Sequence, residues 1–181
     1  MRRPAAIALL LLAATLAALV VAGCGSDSEP ETEVIEGEPL ELDGLLYNVQ
    51  ITRFLNPADA EDEAYLAGQP PAPSGQAYLG VFMRIENETE DTAEVSADMT
   101  VIDTRDSEYE PAPSESVYAL ELPAQVEPEG ELPAPGTPAA SGPIKGAMVL
   151  FLVDESAADN RPLKLEVPSS SGDDGEVELD I

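Results

Sequence analysis

The 181 residues include no histidine, no tryptophan and one cysteine, and eight lysines and arginines stand against 36 aspartates and glutamates. Without histidine, Ser-His-Asp and Cys-His catalysis are excluded, and so are ordinary zinc, haem and blue-copper sites. The enzymatic routes left are carboxylate pairs and a Ser-Lys dyad. Carboxylates are so abundant that a pair carries no information, and a sugar cleft usually wants aromatic platforms, which three Phe and five Tyr hardly supply. Lys145 and Lys164 are the candidates for a dyad, and neither sits in a nucleophile motif. The sequence therefore reads as that of a non-enzyme. The shortage of basic residues also excludes nucleic acid, because no cluster of Lys or Arg offsets the repulsion of phosphates. Partners are expected to be cationic, neutral or met through a divalent ion, and acids spread over a surface also keep a protein dispersed.

What is present begins with Arg2 and Arg3, an apolar run from Ala5 to Ala22 broken by Thr15, and the small pair Ala22-Gly23 before Cys24. This is the layout of a cleaved signal peptide. Val21-Ala22-Gly23-Cys24 resembles the lipobox of bacterial lipoproteins. The resemblance implies cleavage between Gly23 and Cys24 and a thioether-linked diacylglycerol on Cys24, which becomes the N-terminus. An uncleaved transmembrane helix is the alternative, since the run is near the lower length limit for a span. Lipidation accounts for both the number and the position of the cysteine, whereas a lone free thiol is a redox liability in an exported protein. Two acyl chains, at about 0.8 kcal/mol per buried CH₂, give an anchor on the order of 20 kcal/mol before entropic losses. Pro4-Ala5-Ala6 gives little support to twin-arginine export, so the general secretory route is preferred. The expected location is the outer face of the bacterial cell membrane, held there by lipid.

All 36 acids and six of the basic residues follow the cleavage point, so the mature chain carries a charge near −30. Residues 1–23 are read as the lipoprotein signal peptide, 24–39 as the lipidated Cys and a flexible acidic linker, and 40–181 as one domain. Ser26 to Glu38 holds only Val34 and Ile35 as apolar residues, too few to fold alone. Thirteen residues at ~3.3 Å each reach at most ~40 Å.

From Leu40 onward the pattern is β. Tyr47, Val49 and Ile51 alternate with Asn48, Gln50 and Thr52, and Asn56-Pro57 stops the strand. Leu79 to Ile85 alternates next, followed by Val95, Ala97, Met99 and Val101, then a turn at 104–107 and a short return through Tyr109. Ala147 to Val153 is continuously apolar and is predicted in the middle of a sheet with both neighbours present. Leu163, Leu165 and Val167 alternate again, and Val177, Leu179 and Ile181 end the chain. Six or seven short strands predict an all-β, two-sheet sandwich. Tyr47, Phe82, Met83, Met99, Met148 and Phe151 fall on strand positions and are expected between the sheets. Pro57 to Gln76 and Pro123 to Pro143 read as long loops outside any sheet, the first with one or two helical turns capped by Asn56 or Asp59.

Tyr78 to Asn87, Met99 to Asp103, Glu108-Tyr109-Glu110-Pro111, and Pro135-Gly136-Thr137 leading to Gly146–Phe151 resemble an immunoglobulin-like domain of unknown function common in bacterial lipoproteins and related to a group of immunoprotective extracellular antigens. The resemblance spans roughly Leu40 to Ile181 and implies an immunoglobulin-like sandwich. It implies no catalytic residues. Ser107 stands where that pattern usually has glycine, and the insertion before Pro135 is longer and richer in proline.

Calcium is the one cofactor the sequence permits. Asp103, Asp106 and Glu108 surround a predicted hairpin turn, as oxygen ligands for a hard cation would, although the EF-hand glycine and alternation are missing and Arg105 opposes a cation. Asp173-Asp174-Gly175-Glu176 is a second acidic turn, and the plain reading of both is solvated turns whose side chains bond nearby amides. Tyr109 and Tyr118 flank a Pro-rich loop and are the candidates for exposed contact with a protein partner in the envelope. The expected function is non-catalytic binding or envelope assembly at the membrane. The alternative is capture of a solute or ion for a transporter or sensor.

Overall fold

The computed structural model of the protein describes residues 32–181. The strands are β1 (Glu33–Ile35), β2 (Pro39–Leu42), β3 (Leu45–Leu55), β4 (Gln76–Asn87), β5 (Ala93–Val95), β6 (Thr100–Ile102), β7 (Glu108–Tyr109), β8 (Ala124–Val126), β9 (Glu131–Leu132), β10 (Ala147–Asp154), β11 (Leu163–Val167) and β12 (Gly175–Leu179). One sheet has the order β1-β12-β11-β6-β7 and the other β10-β4-β3-β2, with β9 beside β4. β5 and β8 form a separate ribbon. The fold is the all-β two-sheet sandwich that the strand pattern predicts.

Alternation builds the space between the sheets. Tyr47 and Val49 of β3, Leu79 to Ile85 at alternate positions of β4, and Val149, Phe151 and Val153 of β10 face Val101, Leu163, Leu165, Val167, Val177 and Leu179 in one buried cluster. Each large side chain so buried is worth about 1.5–3 kcal/mol. β4 and β10 are buried on their other face as well. There Leu55, Tyr78, Phe82, Met148 and Leu150 pack under Tyr65 and Leu66 in a second cluster. Phe82 and Met148 are core residues, as expected, but they lie beneath the first Pro-rich loop and not between the sheets.

This second layer explains the apolar run of β10. The strand is not central. It ends the four-stranded path, and its outer edge is bridged by irregular chain at Pro111↔Phe151 and Ala119↔Met148. Covering of both faces, and not a neighbour on each side, is what demands apolar residues at every position.

Three other expectations are corrected. The linker reading ran to residue 39, yet Val34 is buried and β1 pairs in parallel with β12, so the domain begins by Glu33. The alternation of β3 slips at Gln50, which has no partner between Val49↔Met83 and Ile51↔Phe82. This bulge moves Thr52 inward and leaves Ile51 exposed. The run from Val95 to Val101 is two strands, not one: β5 pairs with β8, and after a break β6 pairs with β11 and β7. The second Pro-rich stretch also carries β8, β9 and a short helix at Pro138–Ser141, capped by Thr137. The first has no strand before β4 opens at Gln76. Asn56 accepts from the Ala58 amide at 3.0 Å and Asp59 from the Glu61 amide at 3.0 Å, so both cap successive turns.

The inward slip leaves a polar atom in the core, since Thr52 is 4% exposed and its Oγ1 has no hydrogen-bond partner. Thr52→Val keeps the shape and the β preference while removing the unmet hydroxyl. It is expected to raise stability by about 1 kcal/mol, read as a higher urea midpoint at unchanged slope.

Candidate binding groove

Cys24 and Gly23 lie outside the described residues. The calcium candidates lie within them, and they are not gathered. Asp103 is 3% exposed and turned inward. Its Oδ1 accepts from the amides of Arg105 at 2.8 Å and Ser107 at 3.0 Å, and its Oδ2 faces the Arg105 guanidinium and Asn160 at 3.4 Å each and the Tyr109 hydroxyl at 3.5 Å. Burial is the largest single influence on this carboxyl and opposes its charge. The Ser107 and Arg105 amides, with the guanidinium, outweigh it and hold Asp103 below its ordinary 3.8. Its oxygens are thus occupied by donors, while Asp106 and Glu108 point to solvent. Among the described residues no group of three such side chains is placed to hold a metal ion. Asp106 takes the left-handed position of the hairpin, φ +60°, so the turn is closed one residue before the Ser107 that replaces the usual glycine.

Tyr109 is not an exposed contact residue. It is 9% exposed, because its position opposite Val101 turns the ring into the core. Burial, then the Asp103 carboxylate, pushes its hydroxyl up. Tyr118 is half-buried, its ring 4.8 Å from that of Tyr65. Tyr65 in turn meets Phe82 edge-on at 5.2 Å, and its hydroxyl accepts from the Ile144 amide at 3.2 Å. Tyr65 and Tyr118 therefore hold the first Pro-rich loop over β4 and β10 as a lid, and the accessible surface lies next to them.

That surface is a groove of about 680 Å³ beside the outer edge of β10. Its floor is Met148, Val149 and Leu150, and its walls come from residues 97–100, 110–114 and 119–122. The chain touches the edge at Ala112, whose amide donates to the Leu150 carbonyl at 2.6 Å. It then loops out, and it returns at Tyr118 and Leu120, which exchange 2.8 Å hydrogen bonds with Met148. The groove opens beside these two contacts. A shallower hollow of about 440 Å³ continues past Leu120 to Val117, which is 66% exposed. Sequence reasoning missed all of this. The available signal was the alternation Tyr118, Leu120, Leu122 between Pro113 and Pro123.

The outer face of the five-stranded sheet differs in character. Glu33, Glu108, Glu166, Glu176 and Glu178 share it with Lys164, which pairs with Glu176. Burial first, then the charges of Asp174, Glu176 and Glu108, push Glu166 up.

No family model matches the chain, and no curated protein matches it significantly. Solved structures do. The yjhA protein from Bacillus subtilis is 14% identical with a TM-score of 0.52, covering 81% of this chain and 99% of that one. An uncharacterised β-sandwich protein from Clostridium difficile 630 is 12% identical with a TM-score of 0.47, over 85% and 97% of the two chains. The candidate lipoprotein ycdA from Bacillus subtilis is 15% identical with a TM-score of 0.48, over 84% of this chain and 39% of that one. At such identity the likeness to yjhA shows the fold alone. None of the three is named as a member of the immunoprotective antigen group.

Proposed function

We propose that the protein is an exported lipoprotein, anchored through Cys24 to the outer face of the bacterial cell membrane, whose sandwich is a non-catalytic binding module. The anchor rests on the basic, apolar and small-residue order that ends at Cys24. The binding role rests on one observation, the open groove beside the outer edge of β10. A capture protein calls for an enclosed pocket or gathered ligands. This groove is instead open to solvent and flanked by exposed apolar surface at Val117. The immunoglobulin-like kinship suggested by the sequence fits an envelope interaction module of this kind.

The test uses the membrane-bound full chain with a photo-crosslinking residue at Glu121, in the groove wall, or at Glu33, at the opposite edge of the five-stranded sheet. Adducts are expected from position 121 and not from 33. Equal yields from both, or none, defeat the binding reading. In parallel, Cys24→Ala is expected to move the chain from the membrane to the soluble fraction, and continued sedimentation with membranes would sink the anchor.

A further inference from the structure

We infer that the groove takes a basic loop of a partner protein, whose Lys or Arg side chains lay their methylene stems on its apolar walls and bring their charged tips to the carboxylates at its rim. The inference deepens the binding-module reading and rests on it. The lining mixes two kinds of surface. Leu120, Leu122, Pro111 and Ala112 are half-buried and offer apolar contact. Asp98, Glu110 and Glu121 stand exposed around them, and no Lys or Arg is among the lining residues. A long basic side chain has the same division, an apolar stem and a charged tip. A wholly apolar ligand would desolvate the carboxylates without a counter-charge, and an inorganic cation would leave the walls bare.

The three carboxylates are free to receive such tips, since among the described residues none of them is in an ion pair. The basic side chains Arg53, Arg84, Arg105 and Lys164 are engaged elsewhere, with Asp62, Glu131, Asp103 and Glu176. A second copy of the chain is therefore a poor occupant. Its net charge is −28, and four of its six basic residues after Cys24 are held in those pairs. Nucleic acid and anionic lipid are repelled. The groove is open to solvent, so it does not enclose a small solute as a ligand pocket does. Asp98 precedes β6 and Glu121 follows the bridge at Ala119, so the two stand on separate walls and call for two basic side chains on one loop.

The probe is a fluorescent Gly-Lys-Pro-Gly-Lys-Gly peptide, added to the full chain in phosphatidylcholine nanodiscs with empty discs subtracted. It is expected to bind. Versions with diaminopropionate (charge without the stem) or norleucine (stem without the charge) in place of lysine are expected to bind at least about tenfold more weakly. Asp98→Asn with Glu121→Gln is expected to cost about tenfold, with the thermal midpoint unchanged because both positions are exposed. Glu33→Gln with Glu178→Gln removes as much charge from the outer face of the five-stranded sheet and is expected to change binding by less than about twofold. Equal binding of the diaminopropionate peptide, or equal losses in the two double variants, overturns the inference and leaves only long-range attraction to an acidic protein. Equal binding of the norleucine peptide overturns it in favour of an apolar patch. Adducts at position 121 without peptide binding overturn the basic-loop chemistry alone. Absence of both overturns the binding-module reading as well.

Discussion

Asp62→Ala is expected to lower the stability of the protein by about 2–3 kcal/mol and to free residues 56–75 from the sheet. Asp62 is 1% exposed; it pairs with the Arg53 guanidinium and accepts from the Asn56 amide at 2.8 Å. One carboxylate thus ties the start of the lid loop to β3. Breaking a buried pair by removing one partner typically costs about 3–5 kcal/mol, and the partial exposure of Arg53 reduces that figure. Truncation leaves a guanidinium and an amide without their acceptor, next to Tyr65 and Leu66 of the second core. Urea denaturation reads the loss, and hydrogen exchange locates it, with faster exchange confined at first to the lid. The double variant Arg53→Met, Asp62→Leu is expected to recover most of the stability, because it replaces both charges by apolar groups. Equal destabilisation by the double variant would show that the tie acts through shape, not charge.

Asp103→Ala is expected to cost about 2–3 kcal/mol at pH 7, since charge-assisted hydrogen bonds to buried acceptors contribute about 1.5–3 kcal/mol and two amides lose theirs. The pH dependence separates this from simple loss of packing. The folded pKa of Asp103 lies below the ordinary 3.8. Its carboxylate therefore contributes stability that is present above 3.8 and lost as pH falls through the lower folded value. The gap between wild type and variant should narrow across that acid window and stay constant above it. A constant gap at all pH values would defeat the account. Asp103→Asn keeps an acceptor for the Arg105 and Ser107 amides and should lose less than the alanine variant at pH 7.

The sandwich was legible where period two runs undisturbed, as in Leu79–Ile85, Leu163–Val167 and Val177–Leu179. It failed at Ile51 and Thr52 because a bulge changes the phase of alternation without changing composition. Val34 was missed because its partner Val177 lies 143 residues away, so no local window shows why one apolar residue among acids is buried. The run of β10 reported burial on both faces correctly, but periodicity does not say how many neighbours a strand has. The acids at 103–108 could be read as turn or as ligands. Asp103 proved to serve the turn, and its partner Asn160 lies 57 residues further along the chain. The groove was illegible for a similar reason. Its character comes from how three segments run beside a strand edge, which is a property of backbone paths and not of residue types.

The pairing of β1 has a mechanical meaning. In the proposed arrangement the lipid holds the chain at its N-terminal end, and a partner in the groove pulls from the opposite edge of the sandwich. Tension then enters through Thr32 and Glu33 into a strand that runs parallel to β12, joined by Thr32 to the Glu176 amide at 2.7 Å and by the Glu36 amide to Glu178 at 2.8 Å. A pull along the strand loads such bonds together, whereas one directed across the sheet opens them one after another from Thr32. Forced unfolding is governed by the unfolding rate, so this three-residue strand sets the load at which the domain first yields, and its detachment would lengthen the tether before the core is exposed.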